Sequence, residues 1–174
     1  MRAAVIGLAL LVMAVPASAR LWKPTPLQIA QDYATITHVK GAEGRVVITW
    51  MSSPGADSPI MKQLLDRYVL ISILHTRTGL GGAITWDDIE GVQVTDGKGQ
   101  ALKEVTADAM PPTFVGLIAG MDAGLRQSTQ GKGKVRWSVY ESGPVNACQP
   151  GKLVVSYDGE SYDFDTPMPG CTKP

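Results

Sequence analysis

The chain has 174 residues, with 16 Lys+Arg set against 16 Asp+Glu and a hydrophobic content of 44%. That balance gives no electrostatic footprint for nucleic acid or anionic lipid, and the hydrophobic content argues against a disordered chain. Beyond the first 19 residues no apolar run approaches the roughly 18 residues of a membrane span, so no transmembrane segment is expected there.

Residues 1–19, MRAAVIGLALLVMAVPASA, read as a secretory signal peptide. Arg2 supplies the positive start, Ala3 to Val15 the short apolar stretch, and Ala17-Ser18-Ala19 the small-x-small cleavage pattern. No cysteine stands at the cleavage point, which argues against a lipid anchor. The expected product is an exported bacterial protein, periplasmic or secreted, in a compartment where thiols oxidise. Removing 19 residues from 174 leaves 155, expected to form a single β-rich domain over 20–174. A chain of that size buries about 70% of the surface its unfolded form exposes.

In chain order, Thr25-Pro26 reads as an N-cap with proline at the first helical position, opening a short helix to about Asp32. Its spacing sets Leu27, Ala30 and Tyr33 on one side. Tyr33–Lys40 and Arg45–Ser52 flank the turn GAEG as two strands. Ile60–Asp66 is compatible with one or two helical turns after the loop SPGADSP. Arg67–Thr76, RYVLISILHT, is apolar on both faces and should lie centrally, covered on both sides. Ile84–Gly91 follows a glycine-rich loop, and Val92–Thr95 with Gln100–Val105 reads as a hairpin around DGKG.

The one long helical pattern runs from about 112 to 128. At about 100° per residue it gathers Phe114, Leu117, Ile118, Met121 and Leu125 on one face. Asp122 and Arg126 are expected opposite that face as an i,i+4 pair. Gly116, Gly120 and Gly124 form a stripe beside it, which suggests close packing on the sheet or a homodimer contact. Lys134–Glu141 and a C-terminal hairpin complete about eight strands. The expected fold is mostly β: an antiparallel β-sandwich, immunoglobulin-like at the level of architecture, with the helix packed on it. The alternative is an α+β open sheet.

Cys148 and Cys171 are the only cysteines. If the last hairpin turned through Asp158–Ser161, Tyr157 would oppose Tyr162, and the same register extended outward would oppose the two cysteines. A two-residue turn at Asp158-Gly159 would shift the pairing by two and still leave the thiols close. A disulfide is expected, contributing about 3.4 kcal/mol by loop-closure entropy. No Cys-x-x-Cys is present, and a zinc site would need both cysteines with His38 and His75 at no typical spacing. No metal site and no cofactor is implied.

His75 ends the central strand and precedes the glycine-rich loop, with Arg77, Trp86, Asp87 and Asp88 close behind. Strand ends and their loops are where ligands often sit. His75, Arg77 and Trp86 are the candidate ligand contacts, and His75 with Asp87 or Asp88 is the candidate acid–base pair. Gly79-Leu80-Gly81-Gly82 does not open a helix and is no phosphate loop, and no hydrolase motif accompanies the pair. The function expected is therefore an exported, non-enzymatic binding module acting on an envelope protein or small ligand. The alternatives are a small periplasmic hydrolase, or a structural envelope protein dimerising through the glycine stripe.

Overall fold

The computed structural model describes residues 24–41 and 43–171. The expected signal peptide, 1–19, lies outside the described residues. The described residues form eight strands in two antiparallel sheets, together with three α-helices. No helix among them is long and apolar enough to cross a membrane.

Helix α1, Pro26–Asp32, starts at a capping box: the Thr25 hydroxyl accepts from the Gln28 backbone, and the Gln28 side chain accepts from the Thr25 backbone. Its buried residue is Ile29, while Leu27, set on one side with Ala30 and Tyr33, stands exposed. Strands β1 (Thr35–Lys40) and β2 (Gly44–Met51) pair as expected from the turn between them. Helix α2, Pro59–Arg67, is capped by Ser58 and runs straight into β3, Tyr68–Thr78.

Strand β3 is the centre of the first sheet. One edge carries β2. The other is shared: β6 (Arg136–Glu141) pairs with its first half and β4 (Ile84–Trp86) with its end. The second sheet has the order β5 (Gln93–Asp96), β7 (Gly151–Tyr157), β8 (Glu160–Thr166).

Side chains alternate along each strand, so Val69, Ile71 and Ile73 of β3 share one face with Val46, Ile48 and Trp50 of β2. These six join Leu153, Val155, Tyr162 and Phe164 of the second sheet in one buried cluster. Leu70 and Val139 point the other way and meet Phe114 and Leu65 in a second cluster under α2 and the long helix of 112–128. Strand β3 is thus covered on both sides, as its run of apolar residues predicts.

Three local expectations are corrected. Gln100–Val105 is the return arm of the expected hairpin only in its first half, where Ala101 bridges Thr95. After the Asp96–Gly99 turn it bonds to the second sheet only as far as Leu102, whose N–H donates to Val94. From Lys103 onward it bonds to β6, through Glu141 N to Lys103 O and Val105 N to Val139 O. The segment therefore crosses from one sheet to the other.

Helix α3, Pro112–Ser128, has the expected limits, and Phe114, Leu117 and Ile118 of its apolar face join the second cluster. Asp122, however, is not paired with Arg126 on the far side: its Oδ1 accepts from Trp137 Nε1 of β6 at 2.8 Å. The glycine stripe is also not packed on the sheet. Gly116, Gly120 and Gly124 are exposed, and a Cβ at any of them would have no other group within 4 Å.

The last hairpin takes the two-residue turn. Tyr157 opposes Glu160, and Asp158 and Gly159 have φ of 52° and 77°. Positive φ at both central residues is the type I′ geometry that Asp-Gly favours, because its twist matches that of the strands. The Cys148–Cys171 disulfide closes this hairpin to the chain before β7, with Cα atoms 5.4 Å apart.

Candidate functional site

His75 continues the inward row Val69, Ile71, Ile73 and so occupies the end of the core, 5% exposed. Its Nδ1 lies 3.0 Å from the Tyr157 hydroxyl of the second sheet, and the two rings meet edge to face. Asp87, just past β4, is pinned by its own N–H donating to the His75 carbonyl. That places Asp87 Oδ2 at 3.4 Å from His75 Nδ1 and 2.7 Å from Arg77 Nε. Burial, with Asp158 and Asp87 nearby, raises the Tyr157 hydroxyl above its ordinary pKa, so it stays protonated at neutral pH. A proton on Nδ1 can go to either oxygen, and that tautomer leaves the Nε2 lone pair free.

His75, Arg77 and Asp87 are thus brought together. Trp86 is not with them. It pairs with Thr76, one residue on from His75, and so faces the other side of the sheet. Asp88 turns away as well, with Oδ1 2.7 Å from Lys134 Nζ. His75 and Arg77 line a shallow hollow of about 310 Å³ with Lys40, Glu43 and Asp158. Lys40 Nζ donates to Asp158 Oδ2 at 2.6 Å, which holds the Asp158 carboxyl below the usual aspartate value and the Lys40 ammonium above the usual lysine value. Nearby, burial and Glu160 push the Tyr162 hydroxyl up to about 12.

Asp87 and Asp88 also line a second, larger space. An open cleft of about 730 Å³ lies between α3, the start of β6 and the chain after β4. Ile118, Asp122 and Arg126 come from the helix, Lys134 from the turn before β6, Arg136 and Trp137 from the strand, and Glu90 from the loop. The Asp122–Trp137 hydrogen bond ties helix to strand. Arg136 ties the loop to β6, donating from Nη1 to the Ile89 carbonyl and from Nη2 to Glu104. Lys134 is engaged by Asp88, while Arg126 and Glu90 form no ion pair with any described residue. The cleft therefore presents one cation, Arg126, and two carboxylates, Glu90 and Asp122, outside any ion pair with a described residue, Asp122 being held by the Trp137 indole N–H.

The sequence reading did not single out Arg126, Glu90 or Trp137 as site residues. A signal existed: only a short polar turn separates the end of α3 from β6, so the last turns of the helix must lie beside the first residues of that strand. Both cysteine sulfurs are taken up in the disulfide, which removes the thiols from metal or redox chemistry. Comparison with protein-family models, with curated proteins and with solved structures found no match to this chain.

Proposed function

We propose that this protein is an exported, non-enzymatic binding module, periplasmic or secreted. In this reading its two sheets form a β-sandwich fastened by one disulfide, and a small zwitterionic ligand seats in the cleft between α3 and β6. The observation that carries the reading is the presence of Arg126 and Glu90, neither in an ion pair with a described residue, in one cleft where Asp87, Asp88, Lys134 and Arg136 are ion-paired and Asp122 is hydrogen-bonded to Trp137. A ligand with a carboxylate and an ammonium group would complete both. Export is supported by the signal pattern at 1–19 and fits an oxidised cysteine pair. The test is a nuclear magnetic resonance titration of the protein with free amino acids and dipeptides. Their singly charged analogues serve as controls. Zwitterions should shift resonances around Arg126 and Glu90, more weakly at high salt, and Arg126→Ala should cut affinity at least tenfold. Equal binding of singly charged analogues would reject the reading.

A second reading, a small hydrolase, draws support from the 3.4 Å approach of Asp87 to His75 Nδ1. A carboxylate on Nδ1 is how an imidazole base is oriented, with Nε2 left to do the proton transfer. Against it, Arg77 holds the same carboxylate oxygen and Tyr157 holds the same nitrogen. His75→Ala separates the two readings. A structural histidine gives a loss of about 1–3 kcal/mol, because the buried Tyr157 hydroxyl loses its partner, and leaves ligand titration intact. A catalytic histidine gives an activity in the parent that the variant lacks at temperatures where it remains folded.

A further inference from the structure

A sheet edge is kept from pairing with another chain by cover, by shortness or by charge. The outer edge of β5 is covered: Ala101 bridges Thr95, and Leu102 N–H donates to Val94. The outer edge of β6 is covered by Lys103–Val105. Strand β4 has three residues, and β8 carries the exposed carboxylates Asp163 and Asp165. Strand β1 is different. Trp50 N–H donates to the Ala34 carbonyl, and antiparallel bonding alternates along a pair. Ile36, His38 and Lys40 therefore bond to β2, while Thr35, Thr37 and Val39 turn their N–H and C=O outward. The 3.1 Å contact between the Thr35 and Thr49 hydroxyls agrees, because side chains stand closer where opposed residues share no backbone bond. No backbone group of a described residue takes those outward groups. The basic residues of the strand do not guard it either: His38 and Lys40 reach to Glu160 and Asp158.

We propose that β1 is a dimerisation edge, pairing antiparallel with β1 of a second copy of this chain about a two-fold axis at Thr37. In that register Thr37 opposes Thr37 of the other copy, Thr35 opposes Val39, and Ile36 opposes His38. It is the register in which the three outward-turned residues meet one another, so each finds its missing bonds. It also sets no two like charges opposite each other. Val39, apolar and 59% exposed, is covered on pairing. This self-complementarity favours a second copy over an unrelated extended peptide. Identical edges paired in this way form a closed dimer rather than a fibre. The edge shares no residue with the cleft between α3 and β6 or with the glycine stripe, so the proposal stands apart from both.

The test combines sedimentation of the purified protein with amide hydrogen exchange, each across a dilution series. The mass should rise towards twice that of the chain at high concentration. In the dimer, the amides of Thr35, Thr37 and Val39 should exchange at least tenfold more slowly than in dilute protein, while those of Ile36, His38 and Lys40 stay protected throughout. Thr37 is exposed, and Thr37→Lys or Thr37→Glu sets like charges on the axis. Each should raise the dimer dissociation constant at least tenfold, an equal mixture of the two should restore pairing, and Gly120→Leu should change nothing. A monomer at every concentration, Thr37 protection indifferent to dilution, or a dimer that both charged variants leave intact would overturn the proposal. The amide measurement on the parent protein decides the matter even if a variant fails to fold.

Discussion

Glycine to alanine should change stability with opposite signs at two places on or beside α3. At Gly116, Gly120 and Gly124 the added methyl would meet nothing within 4 Å, and the backbone is helical. The gain is then the helix propensity alone, about 1 kcal/mol per site. The triple variant should gain about 3 kcal/mol, which for a chain this long raises Tm by about 6–12 °C. At Gly133 the same methyl would sit 2.6 Å from Thr129 Oγ1 and 2.7 Å from Leu125 Cγ. Thr129 cannot easily yield: its hydroxyl donates to the Leu125 carbonyl and accepts from the Gly133 N–H, both at 2.7 Å. Overpacking there should cost about 1–3 kcal/mol. Urea denaturation reads both effects as shifts in midpoint at unchanged slope. A triple variant less stable than the parent, or Gly133→Ala as stable as the parent, would refute the reasoning. If instead the glycine face is a homodimer contact, the sign should depend on concentration. Alanine would then stabilise dilute protein and weaken a dimer seen by light scattering, which Gly120→Leu would abolish.

Reducing the Cys148–Cys171 bridge, or replacing both residues by serine, should lower stability by about 3 kcal/mol; a urea midpoint indifferent to reductant would contradict this. The Lys40–Asp158 pair should show itself in the pH profile. The depressed Asp158 carboxyl adds stability that is full above the ordinary value of 3.8 and is lost as pH falls through its lower folded value. The raised Lys40 ammonium adds stability that is full below 10.5 and is lost as pH rises through its higher folded value. Lys40→Met should therefore flatten both limbs of a plot of urea midpoint against pH, and parallel profiles for variant and parent would count against the pairing.

The elements that could be read from the residues are those with a local cause. Proline at 112 and the Phe114–Leu125 apolar face mark α3 to its ends. The Val69–Leu74 run marks a strand covered on both sides, and Asp158-Gly159 marks a tight turn. What could not be read was set by tertiary partners. Gln100–Val105 has strand character, but its backbone finds β5 for two residues and β6 afterwards. Asp122 looks solvent-facing until Trp137 supplies an indole N–H beside it. The candidate site divides along the same line. His75 and Asp87 meet because β3 and β4 pair, whereas Trp86, adjacent in sequence, is carried to the opposite face by strand alternation. The cleft arises from how α3 settles on the first sheet, a long-range outcome with no motif of its own.

The sulfur bridge makes the segment from Cys148 to Cys171 a closed covalent ring that contains both strands of the final hairpin. The tight turn of that ring, at Asp158 and Gly159, is exposed. A protease cutting there would open the ring without releasing a fragment. The severed β8 would stay tethered beside β7, and the nick would become visible as two pieces only after a reductant is added.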